Sequence, residues 1–177
     1  RLGAAEREEM AEVVAMWTEA AAQGHGNAQF YLGLVYQAGQ GVERDVDHAI
    51  ELYTQAGIAE AMYNLGLLLA NERQDVDGAE AAYRAAIAAN PGRAQAHNNL
   101  GFLLEHKRQD VDGAEASYRA AIAANPGCAI AHVNLGCLLQ NKRHDVDGAE
   151  TAYRAAIAAD PGYAQAHNNL GFLLEQK

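Results

Sequence analysis

AQAHNNLGFLLE occupies residues 94–105 and recurs unchanged at residues 164–175. DVDGAE occurs three times, and each copy is followed two residues later by YRAAIAA. A Leu-Gly pair marks every repeat, with successive pairs 33, 35, 35 and 35 residues apart: Leu32-Gly33, Leu65-Gly66, Leu100-Gly101, Leu135-Gly136 and Leu170-Gly171. Self-similarity at such a period is typical of stacked repeats, in which each unit buries its apolar faces against its neighbours.

Each repeat contains two stretches in which apolar residues have helical spacing. In the third repeat the first stretch ends near Leu104, and the second includes Ala114 and Tyr118. Gly101 lies within the first stretch, where the lack of a side chain allows another helix to approach closely. The Asn-Pro-Gly motif at residues 125–127 ends the second stretch, because proline disfavours helix in the residue before it. The repeat is therefore predicted to be a helical hairpin.

Two acidic residues compete for the start of each second helix. Asp112 and Glu115 have the spacing of a capping box, in which side chains at the two positions satisfy backbone N–H groups reciprocally. Asp110 is the alternative cap, and the sequence does not decide between them. The same choice arises in the neighbouring repeats: Asp75 against Asp77 with Glu80, and Asp145 against Asp147 with Glu150.

The composition favours an all-α protein. Hydrophobic residues make up 50% of the chain but aromatic residues only 7%, and alanine supplies most of the difference. Alanine is the strongest helix former because it loses no side-chain entropy and hides no polar group. The three prolines, Pro91, Pro126 and Pro161, fall 35 residues apart, between the predicted hairpins.

The repeats resemble the tetratricopeptide repeat (TPR). That family has an aromatic residue, Leu-Gly and a second aromatic residue on the first helix, followed by Ala-x3-aromatic and Pro on the second. The third repeat matches at Leu100-Gly101, Ala114, Tyr118 and Pro126. It departs at the first aromatic position, which is His97, and in one additional residue in the turn between its helices.

The N-terminal third resembles a Sel1-like repeat, a relative of the TPR with a longer loop between its helices. The resemblance rests on Ala28, Leu32-Gly33, Tyr36 and Gly41-Val42, together with a loop at residues 38–44. It implies that the chain combines two related types of helical hairpin.

The two resemblances divide the chain into a Sel1-like region over residues 1–57 and tetratricopeptide repeats, continuous with it, over residues 58–177. They imply an all-α fold of about ten helices, an α-α superhelix in which antiparallel hairpins form a right-handed solenoid. Residues 4–22 are predicted to be the second helix of a preceding hairpin. No second helix follows the apolar pattern of residues 164–176, so we expect further repeats beyond the C-terminus or a partner that covers this end.

The charge and cysteine content limit the partners and the location. The chain has 13 basic and 23 acidic residues and a formal net charge of −10, whereas nucleic-acid binding requires a basic face. No nucleic-acid partner and no direct membrane insertion are expected, since no apolar run reaches the length of a membrane span. Cys128 and Cys137 are nine residues apart on one predicted helix, too far for a disulfide. We expect an intracellular location, in the cytoplasm or an organelle interior.

The sequence predicts no catalytic residues, no metal site and no cofactor, and therefore no enzyme. His97, His132 and His167 share one repeat position, a full repeat apart, so we interpret them as packing residues in place of the family's aromatic residue rather than as metal ligands. DVDG lacks the further ligands of a calcium loop. No catalytic triad, phosphate-binding loop, dinucleotide-binding turn or Cys-x2-Cys pair is present.

The TPR resemblance also implies a protein-binding surface, because the first helix of each hairpin lines the concave face in that family. Transferring the family's groove positions gives twelve candidates: Tyr63, Asn64, Leu67, Asn98, Asn99, Phe102, Val133, Asn134, Cys137, Asn168, Asn169 and Phe172. Cys137 occupies the position of Leu67 and Phe102, so we interpret it as a small apolar residue rather than a reactive thiol. The asparagines would bond the backbone of a bound segment or, alternatively, satisfy only local groups.

These observations favour a non-enzymatic scaffold or adaptor that binds a peptide segment or protein subunit on the concave face. The alternative is a structural or assembly subunit held permanently within a large multiprotein complex. Chaperone-binding members of the family clamp a C-terminal carboxylate with Lys and Arg, whereas this chain has Asn, Gln, Glu and apolar residues at those positions. A carboxylate-clamp chaperone adaptor is therefore not expected.

Overall fold

The computed structural model describes the backbone of residues 4–176 and the side chains from residue 9 to residue 176. Within that range the chain forms ten α-helices and no β-strand, as the composition and the repeat period predict. Contacts group the chain into two compact units, Arg1–Ala89 and Asn90–Lys177.

The first unit contains five helices: α1 (Ala4–Ala22), α2 (Gly26–Ala38), α3 (Val46–Ala56), α4 (Ala59–Leu68) and α5 (Val76–Ala89). Each helix packs against the next along the chain. The helix predicted over residues 4–22 is confirmed. The longer loop predicted after α2 is also present, and Gly39 and Gly41 adopt left-handed conformations there, with φ of 68° and 77°.

The second unit contains the other five: α6 (Ala94–Leu103), α7 (Val111–Ala124), α8 (Ala129–Leu138), α9 (Val146–Ala159) and α10 (Ala164–Glu175). Helices α6 and α8 are the first helices of their hairpins, α10 has the same sequence pattern as a first helix, and α8 contacts both α6 and α10. Helices α7 and α9 each pack against the two first helices that flank them in the sequence. The second unit is therefore a stack of antiparallel hairpins whose first helices lie side by side.

The additional residue of the 35-residue repeats is accommodated where the first helix ends. The chain widens there into π-helical turns, at Leu69–Arg73, Leu104–Arg108 and Leu139–Arg143. The next residue is left-handed, with φ of 58° at Gln109, for example. This conformation directs the N–H of Asp110 back to the carbonyl oxygen of Leu104, at 2.9 Å. The added turn residue thus keeps the backbone hydrogen-bonded while the chain reverses.

The second helices of the three longer repeats begin at the earlier of the two candidate aspartates. Each Oδ1 accepts a hydrogen bond of 2.9 Å from the N–H three residues on: Asp75 from Gly78, Asp110 from Gly113 and Asp145 from Gly148. The capping box of Asp112 with Glu115 is therefore wrong. Both of those carboxylates instead accept from Arg143, in the turn of the following hairpin.

The Leu-Gly pair and a tyrosine form the centre of each complete hairpin. A Cβ built on Gly33 would lie 2.6 Å from Cε1 of Tyr53, and one built on Gly136 would lie 2.5 Å from Cε1 of Tyr153. The buried tyrosine ring thus occupies the space that a side chain at the glycine would need. The close helix approach predicted at the Leu-Gly position is confirmed.

Candidate functional site

In the first unit, the candidates Tyr63, Asn64 and Leu67 lie on α4 and are partly exposed. Burial raises the pKa of Tyr53 on α3 to about 12, and a hydrogen bond with Asn64 acts in the opposite direction. The Tyr53 hydroxyl donates to Oε1 of Gln37 at 2.6 Å. Because Asn64 also hydrogen-bonds the Tyr53 hydroxyl, part of its hydrogen-bonding capacity is used within the chain.

In the second unit, the nine remaining candidates lie on α6, α8 and α10, three to a helix. We call the surface of these helices the first-helix face, and the candidates are Asn98, Asn99, Phe102, Val133, Asn134, Cys137, Asn168, Asn169 and Phe172. Phe102 and Phe172 are 49% and 55% exposed, and Cys137, at the same repeat position on α8, is partly exposed. The first-helix face therefore presents accessible apolar surface on all three helices.

Two candidates are corrected by their burial. Val133 is fully buried and Asn98 is only 4% exposed, so neither can contact a partner directly. Asn168 occupies the same repeat position and is exposed. This position is buried on α6 and α8, each of which has a further helix of the row packed beside it, whereas α10 is the last helix of the second unit. A transfer of groove positions from the family cannot predict this difference, because it treats the position alike in every repeat.

Hydrogen bonds link the asparagine candidates of the first-helix face from one helix to the next. Asn134 Nδ2 on α8 donates to Oδ1 of Asn98 on α6 at 2.9 Å, and Asn98 Nδ2 donates to Oδ1 of Asn99 at 3.3 Å. Asn169 Nδ2 on α10 donates to Sγ of Cys137 on α8 at 3.3 Å. An amide side chain has two N–H groups and an acceptor oxygen, so these bonds fix its orientation without using all of its capacity.

In the second unit, the tyrosines of α7 and α9 also bond the π-helical turn that ends the preceding first helix, at the residue four after the glycine, and this contact was not predicted from the sequence. Tyr118 OH donates to Oε2 of Glu105 and Tyr153 OH to Oε1 of Gln140, each at 2.9 Å. Burial raises the pKa of Tyr118 further above the value for a free tyrosine than that of Tyr53, and the charge of Glu105 adds to the effect. The sequence contains one signal for this contact, the recurrence of Glu or Gln four residues after the repeat glycine.

The three repeated histidines have a structural role. Nε2 of His97 lies 3.0 Å from the carbonyl oxygen of Pro91, and the same contact recurs between His132 and Pro126 at 3.0 Å. His167 repeats it at 2.9 Å. A carbonyl oxygen only accepts, so Nε2 carries the proton and the ring holds the preceding turn against the helix. The three histidines, interpreted from the sequence as packing residues, therefore also make a specific hydrogen bond to the preceding turn.

The part of the chain that the structure describes has neither a metal-ligating cluster nor a membrane-spanning helix. No group of three or more His, Cys, Asp or Glu residues there is arranged to hold a metal ion. Among the same residues, no helix combines the length and the apolar character needed to cross a membrane.

Antiparallel hairpins of this construction, with a tyrosine against each internal Leu-Gly pair, place the chain in the class of α-α superhelical repeat proteins. The family model described as tetratricopeptide repeat matches residues 43–94, 72–127, 102–146 and 138–177. Since these matches span most of the sequence, the chain belongs to the tetratricopeptide repeat family, whose fold generally serves protein interaction without catalysis. No curated protein sequence matches the chain. The Sel1-like assignment of residues 1–57 stays a prediction.

Solved structures share the fold. The protective antigen c5321 of uropathogenic Escherichia coli, which displays an SLR fold, has a TM-score of 0.76 and 26% identity over 93% of this chain and 37% of that chain. MamA has a TM-score of 0.69 and 23% identity, covering 86% of this chain and 89% of that one. YrrB, described as a TPR protein with an unusual peptide-binding site, has a TM-score of 0.67 and 19% identity, covering 91% and 84%.

Proposed function

We propose that the chain is a non-catalytic scaffold that binds a polypeptide segment on the first-helix face of its second unit. The observation that carries this proposal is the pair of half-exposed phenylalanines, Phe102 and Phe172, at one repeat position on the same face. Monomeric proteins rarely leave large aromatic side chains exposed at regular positions, and such residues are typical anchors of interfaces. The peptide-binding site described for YrrB is consistent with the proposal.

The polar residues between the anchors fit an extended or helical backbone. Asn134 and Asn169 are held in place by Asn98 and Cys137, so a partner would meet amides of fixed orientation. Groups that are already ordered lose less entropy on binding. Phe102 is also held, because its ring stacks on His106 with centroids 4.1 Å apart and an interplanar angle of 20°. The face is therefore preorganised for binding.

The charge of the chain suggests the chemistry of the partner. With a formal net charge of −10, the chain attracts neutral or basic segments more than acidic ones. The first-helix candidates include no Lys or Arg that would clamp a terminal carboxylate. We therefore propose a neutral or basic peptide segment bound through apolar side chains, and neither an acidic C-terminus nor nucleic acid.

The test is selection of peptides from a random library on the whole chain, followed by affinity measurements with Phe102→Ala. We expect neutral or basic peptides with apolar residues, whose affinity falls about tenfold or more in the variant, as for truncation of an interface anchor. Val146→Ala is the matched control, because Val146 is also exposed but lies on α9. Enrichment of acidic C-termini, or equal loss of affinity in both variants, would contradict the proposal.

The alternative, a subunit held permanently in a large complex, is favoured by one observation. Leu174 of α10 is exposed in addition to Phe172, and obligate interfaces are more apolar than transient ones. A purified chain that stays monodisperse at high concentration and binds the selected peptides reversibly would count against this alternative.

A further inference from the structure

Glu105 has a largely buried carboxylate in the π-helical turn that ends α6. Its side chain is only 9% exposed, and Oε2 accepts a hydrogen bond of 2.9 Å from the Tyr118 hydroxyl. The other oxygen, Oε1, accepts no hydrogen bond from the described residues and is not one of the buried atoms that lack a partner, so solvent reaches it. One oxygen of the carboxylate is therefore fixed within the chain and the other is open.

The carboxylate of Glu105 has no strongly basic partner among the described residues. Glu115 and Glu150, whose side chains are 22% exposed, each pair with an arginine four residues further on. Glu105 is more buried and has only His106, whose Nδ1 lies 4.0 Å from Oε2. That Nδ1 is 3.0 Å from the carbonyl oxygen of Phe102, which only accepts, so its proton is directed there. A buried charge is costly without an opposite charge, so Glu105 favours a cationic partner.

The open oxygen of Glu105 lies at the first-helix face. Phe102, which is half exposed on that face, precedes Glu105 by three residues, so the two side chains lie on the same side of the chain. Burial raises the pKa of the Tyr118 hydroxyl, and the charges of Glu105 and Cys137 add to the rise, so Cys137 on α8 also lies near it. The equivalent hydroxyl of Tyr153 reaches Sγ of Cys137 at 3.5 Å. The tyrosine hydroxyls thus extend to the floor of the first-helix face.

The next repeat has the same arrangement without the charge. Gln140 occupies the position of Glu105, and its Oε1 accepts from the Tyr153 hydroxyl at 2.9 Å, the distance also found between Glu105 and Tyr118. A glutamine therefore fits this position and keeps the hydrogen bond to the tyrosine. The tyrosine contact explains why an acceptor oxygen is needed here, but it does not explain the negative charge of Glu105.

We propose that Glu105 determines the specificity of the first-helix face by binding a lysine or arginine of the partner segment. This proposal rests on the proposed function and names the chemistry that the segment needs at one position. The cationic group of the segment donates to the open Oε1 of Glu105, and an apolar side chain next to it packs on the ring of Phe102. Because Glu105 and Phe102 are one helical turn apart, the basic and apolar residues of the segment lie close together on one side of it.

The first test compares the peptides selected from a random library on the whole parent chain and on Glu105→Gln. Peptides selected on the parent chain should contain a lysine or arginine close to an apolar residue, and the variant should lose the preference for the basic residue. The variant should unfold at nearly the same temperature as the parent chain, because Gln140 is accommodated at the equivalent position. Glu150→Gln is the matched control, since it removes the same charge from α9, a second helix, and it should keep the preference.

The second test measures the contact itself with a selected arginine peptide and the same peptide carrying citrulline, which keeps the shape of the side chain and removes its charge. The parent chain should bind the citrulline peptide about tenfold more weakly or worse, as expected for a hydrogen bond between charged groups. Glu105→Gln should bind the two peptides with nearly equal affinity. This double comparison separates a direct contact from the general attraction of basic peptides to an acidic chain.

The possible failures are distinguishable. Peptides that lose affinity with Phe102→Ala but are selected equally on Glu105→Gln would contradict this inference alone. An equal loss on citrulline substitution in the parent chain and in Glu105→Gln would also contradict it alone. Peptides that bind without dependence on Phe102, or a library that yields no binder, would contradict the proposed function and this inference with it.

Discussion

Residues 94–105, which form α6 and the start of the turn after it, are identical to residues 164–175, which form α10. The two copies nevertheless have different surroundings. Leu104, at the end of the first copy, is 4% exposed, and Leu174, at the end of the second, is 44% exposed. The difference arises because α7 packs against the first copy. A repeat sequence thus specifies the helix and its apolar stripe, while the second helix packed against it determines which part of the stripe is buried.

The largest expected effect is on stability, from truncating the paired leucines. Leu104→Ala should lower the free energy of unfolding by about 2–5 kcal/mol, because it leaves a cavity where α7 begins. Leu174→Ala should lower it by less than about 1 kcal/mol, because the side chain is already partly in water. Urea unfolding of the two variants measures the difference. Equal losses would show that α10 is covered in solution.

The paired glycines should respond with opposite signs. Gly101→Ala places a methyl group 2.8 Å from the ring of Tyr118, and such overpacking costs about 1–3 kcal/mol, more than the gain in helix propensity. Gly171→Ala meets open space and should stabilise the chain by about 0.5–1 kcal/mol, because alanine is the better helix former. Thermal unfolding checks both signs. Destabilisation by both substitutions would contradict the open environment of Gly171.

A smaller effect concerns the hydroxyl that joins α7 to α6. Tyr118→Phe removes the hydrogen bond to Glu105 and should cost about 1 kcal/mol at neutral pH. The folded state raises the pKa of Tyr118 above its ordinary value of 10.0, so folding favours the protonated hydroxyl. Its contribution is complete below about pH 10 and is lost as the pH rises toward the folded-state pKa. Unfolding measured from pH 8 to pH 11 should therefore show a weaker alkaline loss of stability in Tyr118→Phe than in the parent chain.

The smallest effect concerns the ion pairs that join α7 to the turn after α8. Arg143 contacts Asp112, and its Nε lies 3.0 Å from Oε2 of Glu115, but all three side chains are at least partly exposed to solvent. Arg143→Ala should lower the unfolding temperature only slightly, and the difference should vanish at 1 M salt, where the Debye length is about 3 Å. A large effect that persists in high salt would mean that Arg143 contributes through packing.

The sequence predicted the hairpins because three independent signals agreed: the repeat period, the apolar spacing and the turn residues. It also predicted the Gly101 contact, since a glycine within an apolar helix usually allows close approach. The choice between Asp110 and Asp112 required coordinates, because both have the chemistry of a cap and differ only in backbone conformation. The exposure of the binding candidates also required coordinates, because this repeat position is buried at Val133, where α10 packs beside α8, and exposed at Asn168 on α10 itself.

The left-handed residue after each π-helical turn gives the architecture a fixed unit of length. Because Gln74, Gln109 and His144 return the chain to the same hydrogen-bonded start of the next helix, one 35-residue segment can replace another without altering either junction. Removing residues 111–145, for example, would join one such turn to the equivalent helix start of the following repeat. Hairpins can thus be added or removed one whole 35-residue repeat at a time, while each remaining hairpin keeps its own core.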